Sequence, residues 1–148
     1  KIDLDADKRE ESKDVSEKSI KGMHVLLAED NELNMEIAEF LLQNEGAEVT
    51  KAWNGQEIVE LFRKSESGEF DVILMDIMMP IINGYEATKR IRSLDREDAK
   101  KIPIIAMTAN AFTEDRIRAK EAGMDEHVAK PIDVELLIKV IHKLVKHN

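Results

Sequence analysis

The feature that most constrains the fold is a short apolar run that ends on an acid, Val72–Asp76. Residues 72–75 are all apolar and half of them are β-branched, which is typical of a strand buried on both faces. Asp76 follows directly, and Pro80 and Gly84 then break the pattern. Ligands bind at the carboxyl ends of strands in an open parallel sheet, so Asp76 is a candidate for chemistry. The alternative is that Asp76 caps the next turn, and this stretch alone does not decide between the two.

Strand patterns and helix patterns alternate five times along the chain. The strand patterns cover residues 25–28, 47–52, 72–75, 104–107 and 126–129, and a helical pattern follows each of them. Parallel strands joined by right-handed helical crossovers produce this alternation, and the helices then cover both faces of the sheet. The sequence therefore predicts an α/β fold with a five-stranded parallel sheet.

The first helical pattern predicts which of its side chains are buried. Five residues recur at the spacing of one helix face: Asn34, Ile37, Ala38, Leu41 and Leu42. Leu33, Met35 and Phe40 lie off this stripe, and we interpret them as partly exposed or as part of a docking surface. Further along, we expect residues 95–101 to form a charged loop.

Composition and charge exclude several classes of function. The 148 residues suffice for one domain and a tail, and the 22 basic residues are scattered among 31 acidic ones, so no basic stripe is present for nucleic acid to follow. Because cysteine is absent, neither disulfides nor thiolate metal sites can form. No run approaches the roughly 18 apolar residues of a membrane span. We therefore expect no membrane contact by this segment and a cytoplasmic location.

The beginning of the chain differs from the rest in composition. Residues 1–21 interleave acids with lysines and carry almost no apolar period, so they cannot bury a face. We expect residues 1–21 to be a charged flexible linker or tail and residues 22–148 to form the folded domain. Because the first residue is Lys and not Met, we also expect the chain to come from a longer protein whose missing part precedes it.

Polar side chains follow four of the five predicted strands. Glu29 and Asp30 follow the first strand, Asp76 the third, Thr108 the fourth and Lys130 the fifth. Clustered carboxylates repel one another unless a cation offsets their charge, and oxygen ligands favour a hard ion such as Mg²⁺. A carboxylate beside a metal ion, an ammonium and a hydroxyl suits phosphoryl transfer onto Asp76, because that reaction needs positioning and charge neutralisation.

The motifs around these residues resemble the receiver domain of two-component response regulators, from about Met23 to the end of the chain. They are Glu29-Asp30-Asn31, Met75-Asp76-Ile77-Met78-Met79-Pro80, Asn83-Gly84-Tyr85, Met107-Thr108-Ala109-Asn110-Ala111 and Ala129-Lys130-Pro131. The residues of these motifs are most similar to those of receivers at the C-terminus of hybrid sensor histidine kinases. The resemblance implies a receiver domain over residues 22–148, with the flavodoxin-like (βα)5 fold and strand order 2-1-3-4-5.

The resemblance also implies a phosphoryl site. Asp76 would be the phosphoacceptor, and Thr108 and Lys130 would bind the phosphoryl oxygens. The backbone amides of residues 77, 78 and 109 would be further donors. The bond between Lys130 and Pro131 is expected to be cis, since X-Pro bonds adopt this form far more readily than others.

A metal site and a phosphodonor are implied as well. Mg²⁺ or Mn²⁺ would be held by Asp30, Asp76 and the backbone carbonyl of Met78, and by Glu29 through water. The donor would be a phosphohistidine on a histidine kinase or a histidine phosphotransfer domain. The domain would not be a conventional enzyme, because it would phosphorylate itself from the donor and lose the group slowly by hydrolysis. That rate should depend on Met78 and Asn110.

One position departs from the family pattern. The residue three before Lys130, commonly Tyr or Phe and coupled to Thr108 as a rotamer switch, is His127 here. His127 is either a switch residue with a protonatable ring or a surface imidazole without that role. The remaining histidines, at positions 24, 142 and 147, are assigned no role.

Three other functions are compatible with parts of the pattern. Phosphatases of the haloacid dehalogenase type also use a strand-tip Asp, but they need a second acid two residues later, where Met78 stands. A flavin-binding module would need a phosphate loop after the first strand, where Glu29 and Asp30 would repel a phosphate. A degenerate receiver could serve as a phosphorylation-independent docking module, although every site residue is present.

Overall fold

Strands and helices alternate along the chain, as the sequence predicts. The computed structural model describes residues 19–109 and 113–146. The elements follow in the order β1 His24–Ala28, α1 Glu32–Asn44, β2 Glu48–Ala52, α2 Gly55–Lys64, β3 Val72–Asp76, α3 Gly84–Arg92, α4 Glu97–Lys101, β4 Ile104–Thr108, α5 Thr113–Ala122, β5 Glu126–Ala129 and α6 Val134–Lys146. No helix in these two stretches is both long enough and apolar enough to cross a membrane.

The five strands form one parallel sheet with the order β2-β1-β3-β4-β5, which confirms the predicted topology. The register aligns the strand ends. Ala28, the last residue of β1, pairs with Met75 of β3, and Thr108, the last residue of β4, pairs with Ala129 of β5. The residues that end or follow the five strands therefore meet at one edge of the sheet, which we call the carboxyl edge.

Two hydrophobic clusters lie on opposite faces of the sheet. All five residues of β3 are buried, and they alternate between the faces. Ile73 and Met75 belong to the cluster under α2 and α3, and Val72 and Leu74 belong to the cluster under α1 and α6. Burial on both faces explains the continuous apolar run of β3. With both faces covered by helices, the carboxyl edge is left for polar groups.

Helix α1 buries a different face from the predicted one. Met35, Ala38 and Leu42 are buried, whereas Ile37 is 44% exposed and Asn34 is exposed. Ala38 and Leu42 belong to both stripes, and with about 100° between successive residues the observed face lies about 60° from the predicted one. The prediction of Ile37 and Asn34 as buried was wrong, because spacing alone does not say which of two overlapping stripes meets the sheet.

The segment predicted to be a charged loop contains helix α4 instead. Ala99 is fully buried in the cluster under α2 and α3. Arg92, the last residue of α3, donates from Nη1 to the Ala99 carbonyl oxygen at 3.0 Å. Four of the five residues of α4 are charged, so one buried alanine leaves no apolar period for the sequence to show.

The packed part of the domain begins earlier than predicted. Ile20 lies within the predicted linker, yet it is fully buried in the cluster under α1 and α6. The Ser19 carbonyl oxygen accepts a hydrogen bond from His142 Nε2 at 2.9 Å, so a histidine without a predicted role ties this segment to α6. The boundary at residue 22 was therefore placed too late, and residues 1–18 of the predicted linker lie outside the described residues.

Candidate functional site

The carboxyl edge brings together the polar residues that the sequence singles out. Glu29 and Asp30 follow β1, Asp76 ends β3, Thr108 ends β4 and Lys130 follows β5. Glu29 and Asp76 are each 2% exposed, and Thr108 is also buried, whereas Asp30 is exposed. Carboxylates are seldom buried this deeply unless they are paired with cations or hydrogen-bond donors. The partners of these two acids therefore indicate what the site can do.

Lys130 joins the two buried acids. Its Nζ lies 3.2 Å from Glu29 Oε2 and 3.2 Å from Asp76 Oδ1. Burial raises the pKa of Asp76 to about 7, and the nearby charge of Glu29 acts in the same direction, while Lys130 opposes both. Burial also works against the charge of Lys130, but Asp76 and Glu29 outweigh it and raise the pKa of the ammonium. One cation therefore does not fully compensate two buried acids.

The acids also have the arrangement of a cation site. Glu29, Asp30 and Asp76 each offer a carboxylate oxygen, and these three oxygens lie within 4.8 Å of one another. Asp76 Oδ2 is buried and has no hydrogen-bond partner among the described residues. An all-oxygen site with retained access to solvent suits a hard divalent ion such as Mg²⁺. The donor set and the unpartnered oxygen therefore fit the ion that the sequence predicts.

Backbone hydrogen bonds hold the reactive side chains in place. The Lys130 N–H donates to the Thr108 carbonyl oxygen at 2.9 Å, and the Lys130–Pro131 bond is cis, as expected. The Ile77 N–H donates to the Met107 carbonyl oxygen at 3.2 Å, so this amide, expected to bind phosphoryl oxygen, is engaged in the sheet. The next amide, of Met78, lies 3.4 Å from Asp76 Oδ1 and faces the carboxylate directly.

The loop after β3 is held against the site by two close backbone contacts. The Gly84 N–H donates to the Ile77 carbonyl oxygen at 2.9 Å, and a Cβ at Gly84 would overlap the Asp76 carbonyl oxygen. A Cβ at Gly55 would likewise overlap the Ile82 carbonyl oxygen. Between these contacts Ile81 has a φ of 73°, a conformation that β-branched residues rarely adopt. The loop is therefore shaped by packing that only glycine permits at positions 55 and 84.

His127 lies near Thr108 at the carboxyl edge. It belongs to β5, its side chain is 21% exposed, and its Nδ1 lies 3.6 Å from Glu126 Oε1. A small internal space beneath it is lined by Ile77, Thr108, Asp115 and Arg116. This placement puts His127 next to Thr108, and its part in switching stays a prediction.

His24 lies away from the candidate site. His24 contacts Thr50 Oγ1 through Nε2 at 2.7 Å and packs on the Phe70 ring at 4.6 Å between centroids. Neither contact involves the carboxyl edge. His147 and Asn110 lie outside the described residues.

Several large apolar side chains on α1 and in the loop after Asp76 are exposed, and the sequence singled out three of them: Leu33, Phe40 and Met78. Met78 and Ile81, in the loop after Asp76, are 78% and 69% exposed. Leu33 and Phe40 on α1 are exposed as interpreted, and Ile37 joins them on the same face of the helix. The exposure of Ile37 and Ile81 depends on how α1 and the loop are oriented against the sheet, and their sequence pattern did not indicate it.

A separate concavity of about 480 Å³ lies at the opposite edge of the sheet, where β3 and β4 begin. Its charged groups are already paired: Asp98 with Arg96, and Lys101 with Glu97. Asp71 accepts a hydrogen bond from the His24 N–H at 2.7 Å. These groups therefore serve the fold, and the carboxyl edge is the stronger candidate for chemistry.

Known proteins share both the sequence pattern and the fold. Residues 25–142 match the family model of the response regulator receiver domain. The chain is 41% identical over 120 residues to hybrid signal transduction histidine kinase I of Dictyostelium discoideum, a match that covers 80% of this chain and 7% of that protein. It is 38% identical over 117 residues to the polar-differentiation response regulator DivK of Brucella anthropi, covering 79% of this chain and 91% of that protein. The chain thus spans a small fraction of the kinase that it matches.

A solved structure resembles the fold of this chain. The receiver domain of the sensor histidine kinase PA1611 from Pseudomonas aeruginosa PAO1 is 35% identical, with a TM-score of 0.75. The alignment covers 84% of this chain and 98% of that one. In that crystal structure a magnesium ion is coordinated in the active site cleft.

Proposed function

This chain belongs to the response regulator receiver domain family, and we propose that its Asp76 accepts a phosphoryl group from a phosphohistidine in a two-component phosphorelay. The observation that carries the proposal is the state of Asp76. Its carboxylate is buried between Glu29 and Lys130, and its Oδ2 has no hydrogen-bond partner in the described part of the chain. A structural carboxylate this deep is normally satisfied by donors, whereas a reactive one must keep an oxygen available.

The proposed reaction is a single displacement at phosphorus. A carboxylate oxygen of Asp76 forms the new O–P bond, the N–P bond of the phosphohistidine breaks, and the imidazole leaves with the electron pair of that bond. Lys130 Nζ, already 3.2 Å from Asp76 Oδ1, would stay beside the transferred group and offset its negative charge. Thr108, at the end of the adjacent strand, would donate its hydroxyl to a phosphoryl oxygen.

The cation site completes the proposal. Asp30, Asp76 and the Met78 carbonyl oxygen would hold Mg²⁺, with Glu29 acting through water. The bound ion would neutralise charge on the carboxylates and on the phosphoryl oxygens. Asp76 must be ionised to attack, and burial with Glu29 beside it raises its pKa to about 7. We therefore expect phosphorylation to slow as the pH falls below about 7, less so where a divalent cation favours the carboxylate.

Switching would follow from the new charge at Asp76. A phosphoryl group adds negative charge and oxygen acceptors at the carboxyl edge. These would draw in Thr108 and Lys130 and shift a pre-existing equilibrium of the segments that follow β4 and β5. His127 lies next to Thr108 and is the candidate to transmit this change. Hydrolysis of the acyl phosphate would then reset the domain.

A protein donor is favoured over a small metabolite by the surface around the site. Leu33, Ile37 and Phe40 are large, apolar and exposed, and their spacing places them on one face of α1. Helix α1 begins directly after the acids Glu29 and Asp30. Exposed apolar surface of this kind usually marks contact with another macromolecule, in keeping with a histidine kinase or a histidine phosphotransfer domain as donor.

Incubation with Mg²⁺ and acetyl phosphate, followed by intact-mass measurement, tests the proposal. We expect one added phosphoryl group on the parent protein and none on Asp76→Asn. Asp95→Asn, which changes an exposed aspartate, is the matched control and should be phosphorylated like the parent. A phosphoryl group that survives in Asp76→Asn would contradict the assignment. Catalytic release of phosphate from many monoesters would instead indicate a phosphatase.

A further inference from the structure

Met78 differs from every other methionine in exposure. All seven methionines lie in the described residues, and Met78 is 78% exposed. Met23 is half-buried, and the other five are buried: Met35, Met75, Met79, Met107 and Met124. Peroxides oxidise a thioether that they can reach, and a buried thioether is protected by its packing. The fold therefore presents one reactive methionine sulfur to solvent.

The backbone of Met78 lies at the mouth of the candidate phosphoryl site. Met78 follows Asp76 by two residues, and its backbone N–H lies 3.4 Å from Asp76 Oδ1. The loop cannot swing away easily, because the Gly84 N–H binds the Ile77 carbonyl oxygen at 2.9 Å and Gly84 packs on the Asp76 carbonyl. A chemical change on the Met78 side chain is thus held close to Asp76.

We propose that Met78 is a site of reversible oxidation, and that its sulfoxide shortens the lifetime of the phosphoryl group on Asp76. The effect on this lifetime rests on the proposed function of Asp76 as phosphoacceptor. The sulfur lone pair attacks one peroxide oxygen, the O–O bond breaks, and the sulfur is oxidised to the sulfoxide while the peroxide is reduced to water. Two thiols reverse the step, since they are oxidised to a disulfide as the sulfoxide returns to thioether and water.

The shorter lifetime follows from the polarity of the new group. A thioether is a weak hydrogen-bond acceptor and leaves the mouth of the site apolar. The sulfoxide oxygen is a strong acceptor, so it can hold a water molecule beside the acyl phosphate, where hydrolysis needs one. One such hydrogen bond corresponds to a change of about 2- to 10-fold in rate.

Peptide-level mass spectrometry after limited hydrogen peroxide treatment tests the selectivity. We expect Met78 to gain one oxygen before any other methionine, with its neighbour Met79, which is 8% exposed, as the internal control. Fragmentation between the two residues separates them. Oxidation of Met79 or Met23 at the same rate as Met78 would overturn the proposal.

The lifetime is tested on the same protein. Untreated and oxidised samples are phosphorylated with acetyl phosphate, the donor is removed, and loss of the phosphoryl mass is followed. We expect about 2- to 10-fold faster loss after oxidation, and return to the untreated rate after a methionine sulfoxide reductase. Met78→Leu has no oxidisable sulfur at this position. The lifetime of its phosphoryl group should therefore be the same before and after peroxide treatment.

Two outcomes separate the inference from the function on which it rests. If the untreated protein is phosphorylated and oxidation leaves the lifetime equal or longer, the inference alone is overturned. If the untreated protein takes up no phosphoryl group, the proposed function fails and the lifetime claim fails with it.

Discussion

Two charged clusters lie at opposite edges of the sheet, and their hydrogen bonding differs. At the edge where the strands begin, Arg96 donates from Nη1 to the carbonyl oxygens of Phe62 and Ser65 at 2.8 and 2.9 Å. Its Nε and Nη2 bind the two carboxylate oxygens of Asp98 at 3.0 and 2.8 Å, and its guanidinium lies 4.7 Å from the centre of the Phe62 ring. At the carboxyl edge, Lys130 is shared between two acids, and Asp76 keeps an oxygen with no partner in the described residues.

The two clusters also differ in the pKa of their acids. The hydrogen bond from Arg96 lowers the pKa of Asp98, so the folded state favours the charged form of this residue. Burial, helped by Glu29, raises the pKa of Asp76, so the folded state disfavours its charge. A satisfied ion pair stabilises the fold, whereas an unsatisfied one is poised for a ligand. Each experiment below asks whether this contrast holds.

The largest effect is expected from removing Arg96. Arg96→Met removes the charged partner of the Asp98 carboxylate and one hydrogen-bond donor to the carbonyl oxygens of Phe62, Arg63 and Ser65. We expect it to lower the free energy of unfolding by about 2–4 kcal/mol in urea denaturation. Arg63→Met is the matched control, because Arg63 pairs with Glu60 on the exposed surface and its removal should lower the free energy of unfolding much less. Equal losses in the two variants would show that the Arg96 cluster is not structural.

Removing the charge of Asp76 at the carboxyl edge is expected to raise the free energy of unfolding. In the folded state Asp76 keeps its proton up to about pH 7, while in the unfolded state it loses it near pH 4. The contribution of Asp76 to stability should therefore fall as the pH rises from about 4 to about 7 and remain at the lower value above that. Asp76→Asn removes the penalty, and we expect it to be about 1–3 kcal/mol more stable than the parent at about pH 8 without metal.

The matched comparison for this stability measurement is Asp98→Asn. Because the pKa of Asp98 is lowered in the folded state, its charge stabilises the fold at any pH above its pKa in the unfolded state. Loss of that charge should therefore decrease stability at about pH 8. Urea unfolding of both variants in a chelator gives the two signs directly. If Asp76→Asn is destabilised like Asp98→Asn, the two clusters do not differ in kind.

Magnesium should stabilise one cluster and leave the other unaffected. With Mg²⁺ at 10 to 100 times its dissociation constant, we expect the free energy of unfolding of the parent to rise by about 1.4–2.7 kcal/mol. Asp30→Asn should lose most of this gain, and because Asp30 is exposed the variant should fold normally. Arg96→Met should retain it. If Mg²⁺ stabilises Asp30→Asn as much as the parent, with ionic strength matched by sodium chloride, then Asp30 is not a ligand of the cation.

The smallest effect is expected at His127. We expect His127→Ala to change stability by less than about 1 kcal/mol, since the side chain is partly exposed and its Nδ1 lies 3.6 Å from Glu126 Oε1, beyond hydrogen-bond distance. The informative measurement is the pattern of amide shifts that phosphorylation induces. A changed pattern beyond β4 and β5 would support a role in switching, and a pattern identical to that of the parent would exclude His127 from it.

The sequence was sufficient to place the polar residues of the candidate site at one edge of the sheet, because the ends of buried strands can be recognised from the local sequence pattern. A buried parallel strand is a continuous apolar run, so the acids after β1 and at the end of β3, and the residues that end β4 or follow β5, are placed at one edge once the topology is known. The parallel sheet in turn follows from the alternation of strands and helices, whereas the strand order was implied by the resemblance to receiver domains. For this reason Asp76, Thr108 and Lys130 were located correctly without any tertiary information.

Tertiary packing decides the features that the sequence did not reveal. Helix α1 presents two overlapping apolar stripes, and only contact with the sheet selects Met35 over Ile37. Helix α4 rests on one buried residue, Ala99, and Ile20 is an isolated apolar residue in a charged segment. The Arg96 cluster joins residues about 30 positions apart through carbonyl oxygens, which every residue carries. None of these leaves a periodic or compositional signal.

The most direct test of the central claim identifies the phosphorylated atom. Borohydride reduces an acyl phosphate to an alcohol, so protein phosphorylated with acetyl phosphate and Mg²⁺ can be trapped, digested and sequenced by mass spectrometry. We expect homoserine at position 76, at a level that rises with phosphorylation, and unmodified aspartate at positions 30, 71 and 98. Reduction at any of those positions in place of Asp76, or none at all in protein that carries the phosphoryl mass, would contradict the assignment of Asp76 as phosphoacceptor.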